Sequence, residues 1–166
     1  MFRFLKEAVR DYGARLSSID GGSLRNAIPR EAVAIITIPG DNVEALWELV
    51  ADYQDMFRTE YQGIEESVLF VAEPAELPAS LIPEEIQDDL INAIEGCQNG
   101  VISMLADFPG TVETSTNLAS VKKSDQLIEI KILTRSSSES RKEQICSSLE
   151  SVFALAGAKV EYGSSY

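Results

Sequence analysis

The sequence contains no histidine, and this absence excludes several kinds of active site at once. Histidine is the commonest metal ligand and the usual general base near neutral pH. Without it, the chain can form neither a Ser-His nor a Cys-His catalytic pair, nor an ordinary zinc site. A magnesium site built from carboxylates alone stays open. The missing histidine therefore favours a chain that is not a catalyst by itself.

The many carboxylates have the spacing of solvated helix faces and not of metal ligands. In "PEEIQDDL", residues 83–90, the four acidic side chains fall on one side of a predicted helix, while Ile86 and Leu90 fall on the other. This pattern is typical of an amphipathic surface helix.

Basic residues are scarce, with 14 Lys and Arg against 27 Asp and Glu. The net charge of −13 makes nucleic acid and anionic membranes poor partners, and we expect neither. The longest largely apolar run, Ala32 to Ile38, is too short to cross a bilayer, and no signal peptide is recognised. We expect a cytoplasmic protein, in which Cys97 and Cys146 are more naturally free thiols, with one disulfide as the alternative.

Periodicity predicts the order α-β-β-α-β in the first half of the chain. A helix over 2–12 is followed by a short strand, a buried strand, a long helix capped by Asp41 and a final strand, the strands covering residues 15–20, 32–38 and 67–74. The second half has the order α-β-β-β-α-β. Its helices begin after Pro83 and after Ser136, and its strands cover residues 101–108, 111–121, 126–135 and 158–163.

The similar order of elements predicts an internal duplication, with pseudo-repeats at 1–75 and 76–166. Sequence identity between the halves is slight, so the prediction depends on element order, anchored on Asn26 and Asn117. The expected fold class is α/β in the broad sense, an α+β two-layer sandwich. Each half would be a ferredoxin-like unit with an antiparallel sheet and helices on one face. The other face of each sheet would be free to contact something else.

Two polar residues stand at positions that suit binding. Asn26 lies in "SIDGGSLRNAIPREA", residues 18–32, where glycines, arginines and a proline crowd the entrance of a strand. Arg135 ends the alternating strand "QLIEIKILTR" on the polar side. Spacing alone also allows a plain turn asparagine and a solvated surface arginine.

Several longer motifs resemble one enzyme family over essentially the whole chain. "GGSLRNAIPREA", "DFPGTVETSTNLASV", "RSSSESRKEQI" and "LAGAKVEYG" are similar to the lid domain of bacterial aminoacyl-histidine dipeptidases, also called Xaa-His dipeptidases or carnosinase-like peptidase D. These enzymes belong to the di-zinc peptidases that include glutamate carboxypeptidase and aminoacylase. The resemblance implies a metallodipeptidase whose catalytic domain holds two zinc ions. That domain flanks the lid in the family and is absent from this chain, so the lid would bind no zinc and be inactive alone.

The resemblance also implies roles for Asn26 and Arg135. In single-copy relatives, an asparagine before the central strand and an arginine at its end bind the carboxylate end of the substrate, and the asparagine comes from across a dimer. The first half has Pro39 in the place of that arginine, whereas the second half has Arg135. A duplicated lid would thus mimic the dimer within one chain. The implied partners are the catalytic domain, a dipeptide and a second copy in a homodimer.

Two other functions stay open at this point. The chain could be a stand-alone ferredoxin-like module that binds a small molecule, or a module that serves oligomerisation only. Zinc-dependent hydrolysis of an Xaa-His dipeptide by a longer parent chain would distinguish the lid from the stand-alone module. Substitutions that alter assembly but not substrate affinity would favour the oligomerisation module.

Overall fold

The computed structural model describes residues 1–125 and 127–163 and shows a mixed α+β fold with an antiparallel sheet, which confirms the predicted class. The helices are α1 (Phe2–Tyr12), α2 (Val43–Glu60), α3 (Glu84–Gly96) and α4 (Glu139–Leu155), with a 3₁₀ turn at Gly40–Asn42. The strands are β1 (Arg15–Gly21), β2 (Ala32–Thr37), β3 (Gly100–Met104), β4 (Val112–Lys123) and β5 (Ile128–Ser136). The first predicted residue of β5, Gln126, lies outside the described residues, as do the last three residues of the predicted second repeat.

Strand β4 is the centre of the sheet. The strand order is β2-β1-β4-β3, and β5 pairs with β4 as well. Because the same part of β4 pairs with both β3 and β5, these two strands lie on its opposite edges. The pairings of β4 with β1, β3 and β5 are all antiparallel. The register of β4 with β5 shifts between Leu118 and Ser120, at a β-bulge.

The chain forms two compact units that do not follow a simple division of the sequence. The first consists of Met1–Ser17 and Ile35–Ile82, and the second of Ser18–Ala34 and the chain from Pro83 onward. The segment that carries Asn26 therefore belongs to the same unit as β4 and β5. The duplication into 1–75 and 76–166 stays a prediction.

The first unit has an aromatic core beside α1 and α2. The rings of Phe4, Tyr53, Phe57 and Phe70 contact one another mostly edge to face, with centroids 5.0 to 6.0 Å apart. The Arg3 guanidinium lies over the rings of Tyr53 and Phe57 and forms an ion pair with Glu60 at 2.9 Å.

The strand predicted at 67–74 is wrong, because this described segment is not a strand and pairs with none. The side chain of Gln54 takes the place of a neighbouring strand. Its amide nitrogen Nε2 donates to the Val68 carbonyl at 3.1 Å, and its Oε1 accepts from the Phe70 backbone N–H. The apolar alternation that suggested a strand instead places Phe70 in the aromatic core and leaves Leu69 and Val71 exposed.

Two further expectations about strands are wrong. The segment 158–163 forms no strand, since it folds back onto α4: the Ala158 N–H bonds the Phe153 carbonyl at 3.0 Å, and the Tyr162 hydroxyl donates to Glu150 at 2.6 Å. Strand β2 forms as predicted but is not buried. It is the last strand in the sheet order, and Val33 is 64% exposed.

The second unit buries its apolar residues between helices and one face of the sheet. The buried helical residues are Leu90, Ile91, Ala93 and Ile94 of α3 and Ile145, Leu149 and Phe153 of α4. On β4, Thr114 and Thr116 are buried as well, and their hydroxyls bond Ser136 and the Gln98 carbonyl, both at 2.8 Å. The neighbouring residues of β4, such as Ser115 and Asn117, point to the more open face.

Candidate functional site

The turn that carries Asn26 begins at Gly22, directly after β1. Any other residue at this position would force the backbone to move. Gly22 has φ +73°, and a Cβ placed on it would lie 1.9 Å from the Ala119 carbonyl oxygen. The backbone of the turn is therefore in direct contact with β4. Inside the turn, the Gly22 N–H bonds the Glu31 carbonyl and the Ala27 N–H bonds the Leu24 carbonyl, both at 3.2 Å.

Asn117, on the open face of β4, anchors the same turn by a hydrogen bond. Its side-chain Nδ2 donates to the Ala27 carbonyl at 2.8 Å and lies 3.5 Å from the Arg25 carbonyl. These two carbonyls flank Asn26. The Asn26 side chain is exposed, and no residue within 1–125 or 127–163 is hydrogen-bonded to it. The turn thus presents an amide whose hydrogen-bonding groups are available.

Arg135 lies on the open face of β5, as the alternation of the strand predicts. It is exposed together with Glu129 and Lys131, while Ile128, Ile130 and Ile132 on the other side are partly buried. In the register of the sheet, Arg135 is opposite Ser115 of β4. Across the described part of the chain, no carboxylate pairs with its guanidinium.

The carboxylates on this face already have other partners. Glu113 accepts from Arg141 at 3.0 Å and from the Ser103 hydroxyl at 2.8 Å, and Glu129 pairs with Lys131 at 2.8 Å. Arg135 therefore keeps its full hydrogen-bonding capacity for another anion.

The turn and Arg135 lie at neighbouring positions along β4. Asn117 is two residues from Ser115, about 7 Å along the strand at the ordinary rise. Arg135 is directly across from Ser115, in the adjacent strand. The Asn26 turn is bonded to Asn117 and Arg135 lies opposite Ser115, so both adjoin open-face residues of β4 within one compact unit. Such a pair can bind a carboxylate but has no group that could cleave a bond.

No group of metal ligands accompanies this pair in the described residues. No three His, Cys, Asp or Glu side chains there are grouped so that they could hold a metal ion. Cys97 and Cys146 are free thiols, as the sequence favoured. Burial raises the pKa of the Cys97 thiol, which disfavours the thiolate that nucleophilic catalysis needs. No helix described here is long and apolar enough to span a bilayer.

Sequence reasoning singled out Asn26 and Arg135 but missed the two residues that hold the turn. Asn117 lies inside "DFPGTVETSTN", a stretch whose low charge and many polar groups suited hydrogen bonding along a sheet face. That signal was general and did not indicate which residue bonds the turn. The close approach of Gly22 to β4 depends on a contact between distant segments, which spacing in the sequence does not show.

Comparison with known proteins shows what this chain is similar to. Residues 1–65 match the family model described as the peptidase dimerisation domain. The match covers α1, β1, β2 and α2.

Two known proteins resemble this chain over nearly all of its length. The cytosol non-specific dipeptidase of Escherichia coli K12 is 35% identical over 100% of the chain, which spans 34% of that protein. The crystal structure of aminoacylhistidine dipeptidase from Vibrio alginolyticus superposes with a TM-score of 0.93 at 35% identity, covering 96% of this chain and 33% of that one. The resemblance inferred from the motifs is confirmed, and the chain spans about a third of the length of both relatives.

Proposed function

We propose that this chain is the lid domain of a cytoplasmic dipeptidase that hydrolyses Xaa-His dipeptides. The lid closes over an active site held by a catalytic domain outside this chain. On closure, Asn26 and Arg135 bind the carboxylate end of the dipeptide. The observation that carries the proposal is the exposed Arg135, which has no partner among the described residues and lies in the same compact unit as the exposed Asn26 turn.

The charge balance of the chain supports this role for Arg135. Acidic residues outnumber basic ones 27 to 14, so a surface arginine usually finds a carboxylate. Most described basic side chains of the second unit do so, in the pairs Lys122–Asp20, Lys131–Glu129, Arg141–Glu113, Lys142–Glu139 and Lys159–Glu161. An arginine left without one suits a carboxylate that arrives with the substrate, which the planar guanidinium can bind through two parallel hydrogen bonds.

The surroundings of Asn26 suit a surface that becomes covered. Leu24 is 61% exposed and Ile28 is 81% exposed, on either side of Asn26 in the sequence. Apolar residues clustered at a polar binding group are common where a surface closes over a ligand or partner. Closure would also exclude water from the carboxylate and strengthen its contacts with Arg135 and Asn26.

The residues of this chain do not fit the zinc ions that the family resemblance implies. The chain has no histidine, and the described residues contain no cluster of ligands. Both zinc ions would therefore be held by the catalytic domain. The contribution of this chain is to bind and orient the substrate, and no chemical step passes through its side chains.

The test replaces Arg135 in the longer protein that the proposal requires. Arg135→Ala should leave the melting temperature nearly unchanged, because the side chain is exposed and unpaired within the described chain. It should weaken dipeptide binding by about 2–5 kcal/mol, as expected for the loss of a charge-assisted contact in a closed site. Arg135→Lys should restore little, since an ammonium group lacks the planar fork. Because the contact forms on closure, kcat should fall together with kcat/KM.

Lys131→Ala is the matched control, since Lys131 lies on the same face of β5 but pairs with Glu129. Wild-type kinetics in both Arg135 variants would refute the substrate role. A collapsed melting temperature would make Arg135 structural instead. If the longer protein hydrolyses no Xaa-His dipeptide with zinc present, the lid function fails, and a stand-alone binding module becomes the better explanation.

A second function, self-association, is favoured by the family model over residues 1–65. The first unit exposes apolar residues within this range: Val43 and Trp47, one helical turn apart on α2, are 36% and 42% exposed. We infer that a second copy of the chain covers them. Trp47 is the only tryptophan, so its fluorescence should shift to the blue as the concentration rises through the dimerisation range. Trp47→Glu should give a monomer in light-scattering measurements, and an unchanged mass would reject this surface.

A further inference from the structure

We infer that Asn117 is a positioning residue that sets the place of Asn26 in the substrate site. The inference rests on the proposed function for its kinetic consequence, but its structural part stands on contacts in the described chain. Asn117 does not reach the proposed substrate position itself. It acts through the backbone of the turn that carries Asn26.

The contacts of Asn117 surround Asn26. Its Nδ2 donates to the carbonyl of Ala27 at 2.8 Å and lies 3.5 Å from that of Arg25, the residues immediately after and before Asn26. The bond spans 90 positions in the sequence, so it joins a surface turn to the centre of the sheet. It is a side-chain hydrogen bond that anchors the tip of this turn.

The position of Asn117 on β4 links the turn to Arg135. Asn117 is opposite Leu133 and Ser115 is opposite Arg135, so the anchor of the turn and the guanidinium belong to one pair of strands. Strands paired in a sheet move little relative to each other, because the ladder of backbone hydrogen bonds fixes their register. The bond from Asn117 therefore holds the exposed turn, and Asn26 within it, at a fixed position relative to β4 and β5.

Only a side chain that donates hydrogen bonds could anchor the turn from position 117. Both acceptors are carbonyl oxygens, so the anchor must donate, and the Nδ2 group has two N–H bonds to offer. Asn117→Asp keeps the shape but removes both donors and places a carboxylate against two carbonyl oxygens. Asn117→Ala removes the side chain and frees both carbonyls to bond water.

The test uses the longer protein with Asn117→Ala, Asn117→Asp and the control Asn99→Ala. Asn99 is matched because its side chain also bonds β4, accepting from the Leu118 N–H at 2.7 Å, but it does not contact the turn. Both Asn117 variants should lower kcat/KM for an Xaa-His dipeptide about tenfold, the effect of losing one structured hydrogen bond at a half-buried site. Asn99→Ala should leave it unchanged.

A double-mutant comparison separates positioning from general destabilisation. If Asn117 acts through Asn26, then Asn26→Ala combined with Asn117→Ala should be no worse than Asn26→Ala alone. A purely structural role would make the two effects add. Additive effects, or equal losses in Asn99→Ala and Asn117→Ala, would overturn the inference.

Hydrogen exchange distinguishes failure of this inference from failure of the proposed function. The amides of Gly22 and Ala27 are bonded inside the turn, so the peptide that contains them should exchange faster in both Asn117 variants and at the wild-type rate in Asn99→Ala. If Asn26→Ala has wild-type kinetics, the proposed site is wrong while faster exchange still supports the anchor. Unchanged exchange in both Asn117 variants would overturn the anchor itself.

Discussion

Gly22→Ala should destabilise the protein far more than an ordinary glycine substitution on the surface. The residue has φ +73°, a backbone conformation that costs an L-residue about 1–2 kcal/mol. In addition, the new Cβ would lie 1.9 Å from the Ala119 carbonyl oxygen, a backbone atom that cannot rotate away. Relief requires the turn to move by more than an ångström to reach the 3.0 Å below which real Cβ atoms essentially never approach.

A movement of that size away from β4 also breaks the anchor of the turn. The bond from Asn117 to the Ala27 carbonyl is 2.8 Å long and would stretch past hydrogen-bonding distance. An amide that loses its partner in a half-buried place costs about 1–3 kcal/mol. Backbone strain and the lost bond together predict a loss of about 2–5 kcal/mol in the free energy of unfolding.

Gly110→Ala is the matched control, since Gly110 has φ +86° but no atom within 4 Å of a new Cβ. It should cost only the backbone strain, about 1–2 kcal/mol. Urea denaturation of the wild type and both variants measures the difference, provided that the slope with urea stays constant. Equal losses in the two variants would refute the close contact between the turn and β4. An unchanged exchange rate of the Ala27 amide in Gly22→Ala would do the same.

Two further predictions concern the first unit. Burial and the hydrogen bond to Glu7 raise the pKa of Tyr53 to about 12, so this hydroxyl stays protonated in the folded state while the unfolded chain begins to ionise near pH 10. Its stabilisation is thus complete below pH 10 and is lost as the pH rises toward 12, and Tyr53→Phe should flatten the fall of the melting temperature between pH 9 and 11; an unaltered slope would contradict this. Gln54→Leu should lower the free energy of unfolding by about 1–3 kcal/mol because the Val68 carbonyl and the Phe70 N–H both lose their partner, and limited proteolysis after residue 66 should quicken, whereas an unchanged cleavage rate would show that the aromatic core alone holds the segment.

Local patterns were sufficient to predict the elements whose hydrogen bonds are local or whose partner is adjacent. The apolar periodicity predicted α1 and α3, and Gly13 and Gly96 predicted where these helices end. The turn at Pro109-Gly110 was correctly predicted to separate β3 from β4. The alternation in β5 placed Arg135 on the exposed side. In these cases the periodicity that is visible in the sequence is the same periodicity that burial selects.

Where the outcome depended on a partner far away in the chain, the patterns were insufficient. Residues 67–74 have strand-like alternation, but a strand needs a neighbour, and here the Gln54 side chain satisfies the backbone groups that a neighbour would bond. The segment 158–163 has the composition of a closing strand, yet Tyr162 bonds Glu150 on α4. The β-propensity of a segment describes how well its residues suit a strand. It does not show whether a sheet has a free edge strand with which that segment can pair.

The crowded entrance to β2 combines both kinds of constraint, and each of its glycines has a separate physical reason. A Cβ on Gly21 would lie 2.9 Å from the Cβ of Ala32, whereas a Cβ on Gly22 would meet the Ala119 carbonyl. The backbone at the end of β1 therefore lies very close to Ala32 on one side and to β4 on the other. A side chain at either position would clash, so both residues are glycine. Asn117 then bonds the turn beyond these glycines, at the carbonyls on either side of the exposed Asn26. Glycines in a free surface turn would serve flexibility alone, whereas these two bring the turn within reach of a donor 90 residues away. That requirement explains why a stretch of this length needs more than the single glycine of a plain turn.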